Sequence, residues 1–354
     1  MKTHMKKFGL ILSALILVPT LLSGCGDSKS GSSKSTEVNV ICWSEYLPQE
    51  VLDSFETEKG ITVNMTTYSS PDDMLAKVES SAAGTYDLII APENYSAIFS
   101  KEKTIEELDK DKLSNFKNID EKYLGRENDP DNAYSVPYMF ASAVIAVNTD
   151  VIKDDITSYS DLLNSAYKDQ LVVIEDSRAM LAMAAMATGH DVNDTSDETL
   201  SDIKGYMEEL VPNIHAYNGD SPKTLMINGE CPIGLIYGAE AELAHEENPA
   251  IVGIYPEEGV YMGADVMMVT ADAGNKDNAY ELMNYILDGD VSASISEIFP
   301  YINPNKAAVE ILGEDYQSNE LKNPSEDVMK RACTLKDIGD DTSKLVDIWT
   351  EIKN

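Results

Sequence analysis

Histidine and cysteine are scarce in this 354-residue chain, with four of each. His4, His190, His215 and His245 are widely scattered, which leaves little from which to build a His-based metal centre or a nucleophile–base triad. Cys25, Cys42, Cys231 and Cys333 follow neither a zinc spacing nor a disulfide framework. The last three read as small buried hydrophobes. Positive charge is the other deficit: Lys and Arg total 27 against 62 Asp and Glu, a formal net charge of −35. Such a field disfavours nucleic acid and anionic lipid as partners. It suits a small cation, although acidity on its own is better explained by solubility. Beyond Leu22 no apolar run approaches the roughly 20 residues of a membrane span. No solenoid-type internal repeat is visible.

What the chain does have begins at its N-terminus. Met1–Lys7 carries Lys2, Lys6 and Lys7, and Phe8–Leu22 is apolar and uncharged. That is the pattern of a secretory signal, assigned to residues 1–24. Leu22-Ser23-Gly24-Cys25 resembles a lipobox, so Cys25 is expected to be acylated and to anchor the protein outside the cytoplasm. Gly26–Glu37 is too polar and too rich in Gly and Ser to hold one conformation, giving a lipidated flexible tether over residues 25–37.

From Val38 onward the patterning alternates between strand and helix. Val38–Cys42 reads as a strand, Pro48–Lys59 as a helix with Val51, Leu52 and Phe55 on one face, and Ile61–Thr67 as the next strand. Pro71–Ala82 is helical and Tyr86–Ile90 a buried parallel strand. A chain crossing is expected where Asp129–Asn132 breaks the pattern ahead of Tyr134–Tyr138 and the strand Ala143–Val147. Leu171–Ile174 and Ile233–Tyr237 are further strands, with the Ala/Met-rich helix Arg178–Thr188 between them. Asp265 is read as opening the strand Val266–Thr270, followed by the helix Asn275–Leu287. This alternation predicts an α/β protein built on mostly parallel sheets flanked by helices. Ligands of such sheets sit beyond the carboxyl ends of the strands. Two of those ends are Trp43–Tyr46 and Ala91–Tyr95.

Trp43 and Tyr46 flank Ser44 and Glu45, placing two aromatic faces and a carboxylate on one strand-end loop. An aromatic face attracts a desolvated cation by ~2 kcal/mol. A carboxylate supplies the charge-assisted hydrogen bond that a buried ammonium needs. Taken alone, this loop fits equally well a core Trp43 and a solvated Glu45.

Several segments occur together in one order: Val40–Tyr46, Gly60–Val63, Tyr86–Leu88, Asn132–Tyr138, Pro256–Gly259 and Pro304-Asn305. In that order they resemble the bacterial periplasmic or lipoprotein spermidine/putrescine-binding proteins, over nearly the whole mature chain. The resemblance implies a two-lobed type II periplasmic-binding-protein fold, with 38–140 and 266–312 as lobe 1 and 141–265 and 313–354 as lobe 2. It also implies a polyamine held in the cleft, delivery to the permease subunits of an ABC transporter, a monomer, and no cofactor or metal. Position by position, Trp43, Ser44, Glu45 and Tyr46 match the family's first ligand loop. Asp176 and Asp265 match its amine-binding aspartates, Tyr237 stands where a stacking tryptophan is usual, and Tyr301 matches a cleft tyrosine.

The departures from that pattern are specific. Ala179 stands where the family commonly has a glutamate, Gly263 where a tryptophan is expected, and Pro92 and Asn94 where a serine and a tyrosine often occur. Other classes share the implied fold. An oligosaccharide binder would also use aromatic walls and carboxylates, and ferric-ion binders typically use adjacent tyrosines, a pair this chain lacks. A cysteine-dependent thiamin-degrading enzyme would need Cys42 as nucleophile, but no histidine lies near it in sequence.

Overall fold

The computed structural model describes residues 36–353. The signal segment, Cys25 and all but the last two residues of the tether lie outside the described residues. Of those two, Glu37 belongs to the first strand, which the polar composition of the tether does not predict.

The chain opens with β1 (Glu37–Trp43), α1 (Gln49–Lys59), β2 (Thr62–Tyr68), α2 (Pro71–Ser80), β3 (Leu88–Pro92) and α3 (Asn94–Glu102). Local chemistry sets these boundaries. Helix α1 buries Val51, Leu52 and Phe55 and stops at Gly60, whose φ of 66° is the left-handed cap that glycine adopts without a Cβ penalty. Ser70 caps α2 by accepting from Asp73 N, and Pro71 takes the first turn, where no N–H is needed. Strands β2, β1 and β3 pair in parallel, so their carboxyl ends share one edge.

A second parallel group consists of β5 (Leu171–Val173), β6 (Ile214–Tyr217) and β7 (Ile233–Tyr237). Helices α4 (Ser177–Ala187), α5 (Asp197–Leu210), α6 (Lys223–Ile227) and α7 (Gly238–Glu247) accompany it, with β8 (Ile251–Ile254) at an edge. The two groups are joined by two long strands, β4 (Val136–Asn148) and β9 (Val260–Val269). All 13 residues of β4 are buried. Its first half pairs antiparallel with β9, and its second half pairs antiparallel with β7 and β8. The chain ends in α8 (Lys276–Ile286), α9 (Gly289–Ile298), α10 (Lys306–Gln317), α11 (Glu326–Lys330), the two-residue β10 (Ala332–Cys333) beside β9, and α12 (Thr342–Lys353).

Two hydrophobic cores result. The first gathers Val40, Phe55, Leu88, Phe99, Met139 and Leu282 around β2-β1-β3; the second gathers Val144, Leu171, Met183, Met207, Ile236 and Trp349 around β6-β5-β7. The Met180, Met183 and Met186 stripe is buried in the second core, as helical spacing predicts. Two expectations are corrected. The crossing is one unbroken strand from Val136 rather than two pieces, because Pro137 sits at a register shift and costs the ladder little. Asp265 lies in the middle of β9, paired with Pro92 on one side and Met139 on the other, and does not open that strand.

Candidate ligand-binding site

The carboxyl ends of β1, β3 and β7 and the loop after β5 meet at one cleft of about 650 Å³, its open mouth included. Trp43, Ser44, Glu45, Tyr46, Asp176, Tyr237, Asp265 and Tyr301, the eight positions singled out in the sequence, all line it. Val40, Tyr46 and Phe99 pack in the first core, whereas Ile174 and Met183 pack in the second, so the cleft has one wall from each.

The first wall is built by a tight turn. Glu45 has φ 48°, a left-handed backbone that a non-glycine residue adopts at some strain. Ser44 N donates to Tyr68 O at 3.0 Å, fixing the chain where it leaves β1. Trp43 rests on Tyr68 with ring centroids 4.5 Å apart. Tyr46 meets Tyr301 and Tyr138 edge-on at 4.8 and 5.1 Å, and Tyr138 Oη donates to Tyr46 O. These contacts fix aromatic rings before any ligand arrives.

Asp265 is at the floor, 7% exposed. Trp43 Nε1 donates to its Oδ1 at 3.0 Å and Tyr46 Oη to its Oδ2 at 2.8 Å. Burial pushes its carboxyl up to about 6; these two hydrogen bonds oppose the rise, and the negative charges of Asp176 and Glu93 add to it. Asp176, 5% exposed, caps α4: Ala179 N donates to Oδ1 at 3.0 Å, and Tyr237 Oη donates to Oδ2 at 3.1 Å. Burial raises this carboxyl too. Each carboxylate oxygen keeps a lone pair for a further donor. The arrangement is ready to accept N–H groups and to hold positive charge.

Other lining residues were not read from the sequence: Asp220, Glu240 and Tyr261. Tyr261, Gly263 and Asp265 alternate along β9 and so share a face, a period-two signal that could have exposed Tyr261. A Cβ at Gly263 would sit 2.8 Å from Tyr261 Oη, so the Tyr261 ring fills the space that a large residue at 263 would need. Glu240 follows Tyr237 by one helical turn. Asp220 sits on the irregular loop 218–222, for which no periodicity exists. Ser44 Oγ hydrogen-bonds Asp220 across the cleft.

Cys42 does not line the cleft. It is fully buried, and burial together with Asp265 pushes its thiol well above the ordinary value, the opposite of an activated nucleophile. Among the described residues no group of three or more His, Cys, Asp or Glu side chains is placed to hold a metal ion. No described helix is long and apolar enough to cross a membrane.

Two α/β lobes joined by crossing strands, with a polar and aromatic cleft between them, define a solute-binding protein. The chain belongs to the bacterial extracellular solute-binding protein family, whose sequence profile matches residues 50–324. It is 31% identical over 329 residues to the spermidine/putrescine-binding periplasmic protein of Salmonella typhimurium, covering 93% of this chain and 94% of that one. Two solved structures share its fold, each 26% identical and covered over 90% of this chain and 99% of the other. One is from Listeria monocytogenes, with a TM-score of 0.87. The other is a spermidine/putrescine ABC transporter substrate-binding protein from Streptococcus pneumoniae, with a TM-score of 0.76.

Proposed function

We propose that this protein captures a polyamine of the putrescine/spermidine class in the cleft and delivers it to an ABC permease, without catalysing a reaction. The observation that carries this reading is the pair of buried carboxylates, Asp176 and Asp265, each hydrogen-bonded by tyrosine or tryptophan and neither ion-paired within the described residues. A buried carboxylate with a raised pKa is unfavourable until a cation arrives. An alkyl diammonium ligand supplies both charges, and its methylenes pack on Trp43 and the tyrosines. Relatives named for spermidine and putrescine support the same ligand class.

The lobes, 38–140 with 266–312 and 141–265 with 313–354, are taken to close on the ligand, because a solute touching both walls favours the closed state by its differential affinity. The permease then reads the closed shape. The protein acts as a monomer, held at the outer face of the membrane by lipid on Cys25 through the tether; Cys25→Ser releasing it into the soluble fraction would support that anchor, and unchanged membrane retention would remove it.

Calorimetry of the mature chain with putrescine and spermidine tests the ligand. Micromolar or tighter binding, roughly 8 kcal/mol, is expected. No heat with either amine, combined with stabilisation by an oligosaccharide, would replace the polyamine reading with a sugar-binding one.

A further inference from the structure

Two carboxylates that line the cleft, Glu45 and Glu240, already hold an ammonium group that belongs to the protein, that of Lys223, which does not itself line the cleft. Lys223 Nζ lies 2.8 Å from Glu45 Oε2, 3.0 and 3.2 Å from the two Glu240 carboxylate oxygens, and 3.0 Å from Ser221 Oγ. Its side chain is 16% exposed and that of Glu240 7%. Glu45 comes from the turn after β1 and Glu240 from the first turn of α7, so Lys223 ties the two walls together. Burial alone would lower the Lys223 pKa, but Glu240 and Glu45 outweigh it and the net shift is upward. The group is a cation with its three donors engaged.

Glu45 and Glu240 both line the cleft, and Lys223 already occupies the position between their carboxylates. Neither Asp176 nor Asp265 has a cation in ion-pair contact among the described residues; the Arg178 guanidinium acts on Asp176 only from beyond that distance. Asp220 adds a carboxylate at the rim, but it is exposed and engaged with Ser44. We infer that Lys223 acts as a resident ammonium that occupies the outer cation position and makes the cleft selective for a diamine over a triamine. Two ligand charges match Asp176 and Asp265. A third would have to displace Lys223 or face it at close range, where like charges repel. This inference rests on the polyamine reading and adds to it which polyamine is preferred.

Calorimetric titration of the mature wild type, Lys223→Met and Lys223→Gln with putrescine and with spermidine tests it. The wild type is expected to bind putrescine at least about tenfold more tightly than spermidine, and both variants, which keep length or polarity but lose the charge, to shift that ratio about tenfold toward spermidine. A wild type that takes spermidine as well as putrescine overturns the inference, and so does a ratio unchanged within about twofold in folded variants. The wild-type ratio needs no variant and decides the matter alone if neither substitution folds. Absence of binding by either amine to the wild type would instead overturn the polyamine reading, and the inference with it.

Discussion

Asp265 carries a charge that the empty protein holds at a disadvantage. Its carboxyl titrates near 6 when folded, against an ordinary 3.8. Between those values the folded chain keeps a proton that the unfolded chain has already released. Stability of the empty protein therefore falls as pH rises from about 4 to about 6, by about 3 kcal/mol from this group. Amine affinity runs the other way, weakening as pH falls through about 6, because only the ionised carboxylate pairs with an ammonium. Asp265→Asn separates the two effects. Denaturation midpoints at pH 4, 5, 6 and 7 should lose most of that downward slope. Amine binding at pH 7 should drop by at least about 100-fold, or roughly 3 kcal/mol. A variant that binds amines as tightly as the wild type removes Asp265 from the site.

At the scale of single elements, Asp176 does two things at once. Its Oδ1 caps α4 through Ala179 N, and its charge faces the cleft. Asparagine caps as well as aspartate, whereas alanine does not. Asp176→Asn keeps the cap and removes a buried charge, so ligand-free thermal stability at pH 7 is expected to stay at or rise above wild type while amine binding weakens about tenfold or more. Asp176→Ala should lose the same affinity and about 1 kcal/mol of stability besides. Equal affinity in both variants and the wild type would leave Asp176 a cap alone. The sequence disclosed such elements unevenly. Ile233–Tyr237 reads as a strand because its apolar run is short, bounded and buried on both faces, and β7 has those limits. Strand β9 begins at Val260 rather than at Asp265; Gly259 and Gly263 bracket Val260–Met262 and a charged residue breaks the apolar run, so the sequence pattern shows only the strand's second half. The eight residues named from the sequence sit at strand ends or match a family pattern, and they line one cleft. Lys223 shows no such signal: 178 positions separate it from Glu45, and nothing local marks it as a partner.

For the molecule as a whole, the loop 218–222 and the first residue of α6, Lys223, are where one wall meets the other. Asp220 reaches Ser44 and Lys223 reaches Glu45. Gly219 lies so close to the loop between β2 and α2 that a Cβ built on it would stand 2.2 Å from Ser69 O. That approach is between backbones, so a side chain at 219 cannot be accommodated by rotating a neighbour. Gly219 lies on a partly exposed loop, outside every helix and strand. Gly219→Val is therefore expected to fold with a thermal midpoint close to wild type while opposing the closed arrangement. If ligand binding is coupled to closure, affinity for the amine should fall by about 100-fold, since the ligand must then supply the extra free energy needed to populate the closed state. Small-angle scattering should show the wild type compacting at saturating putrescine and the variant retaining a larger radius of gyration at the same concentration. A variant that binds with wild-type affinity and compacts equally would mean that the Gly219–Ser69 contact plays no part in the bound state, and closure would have to be sought along the β4 and β9 crossing instead.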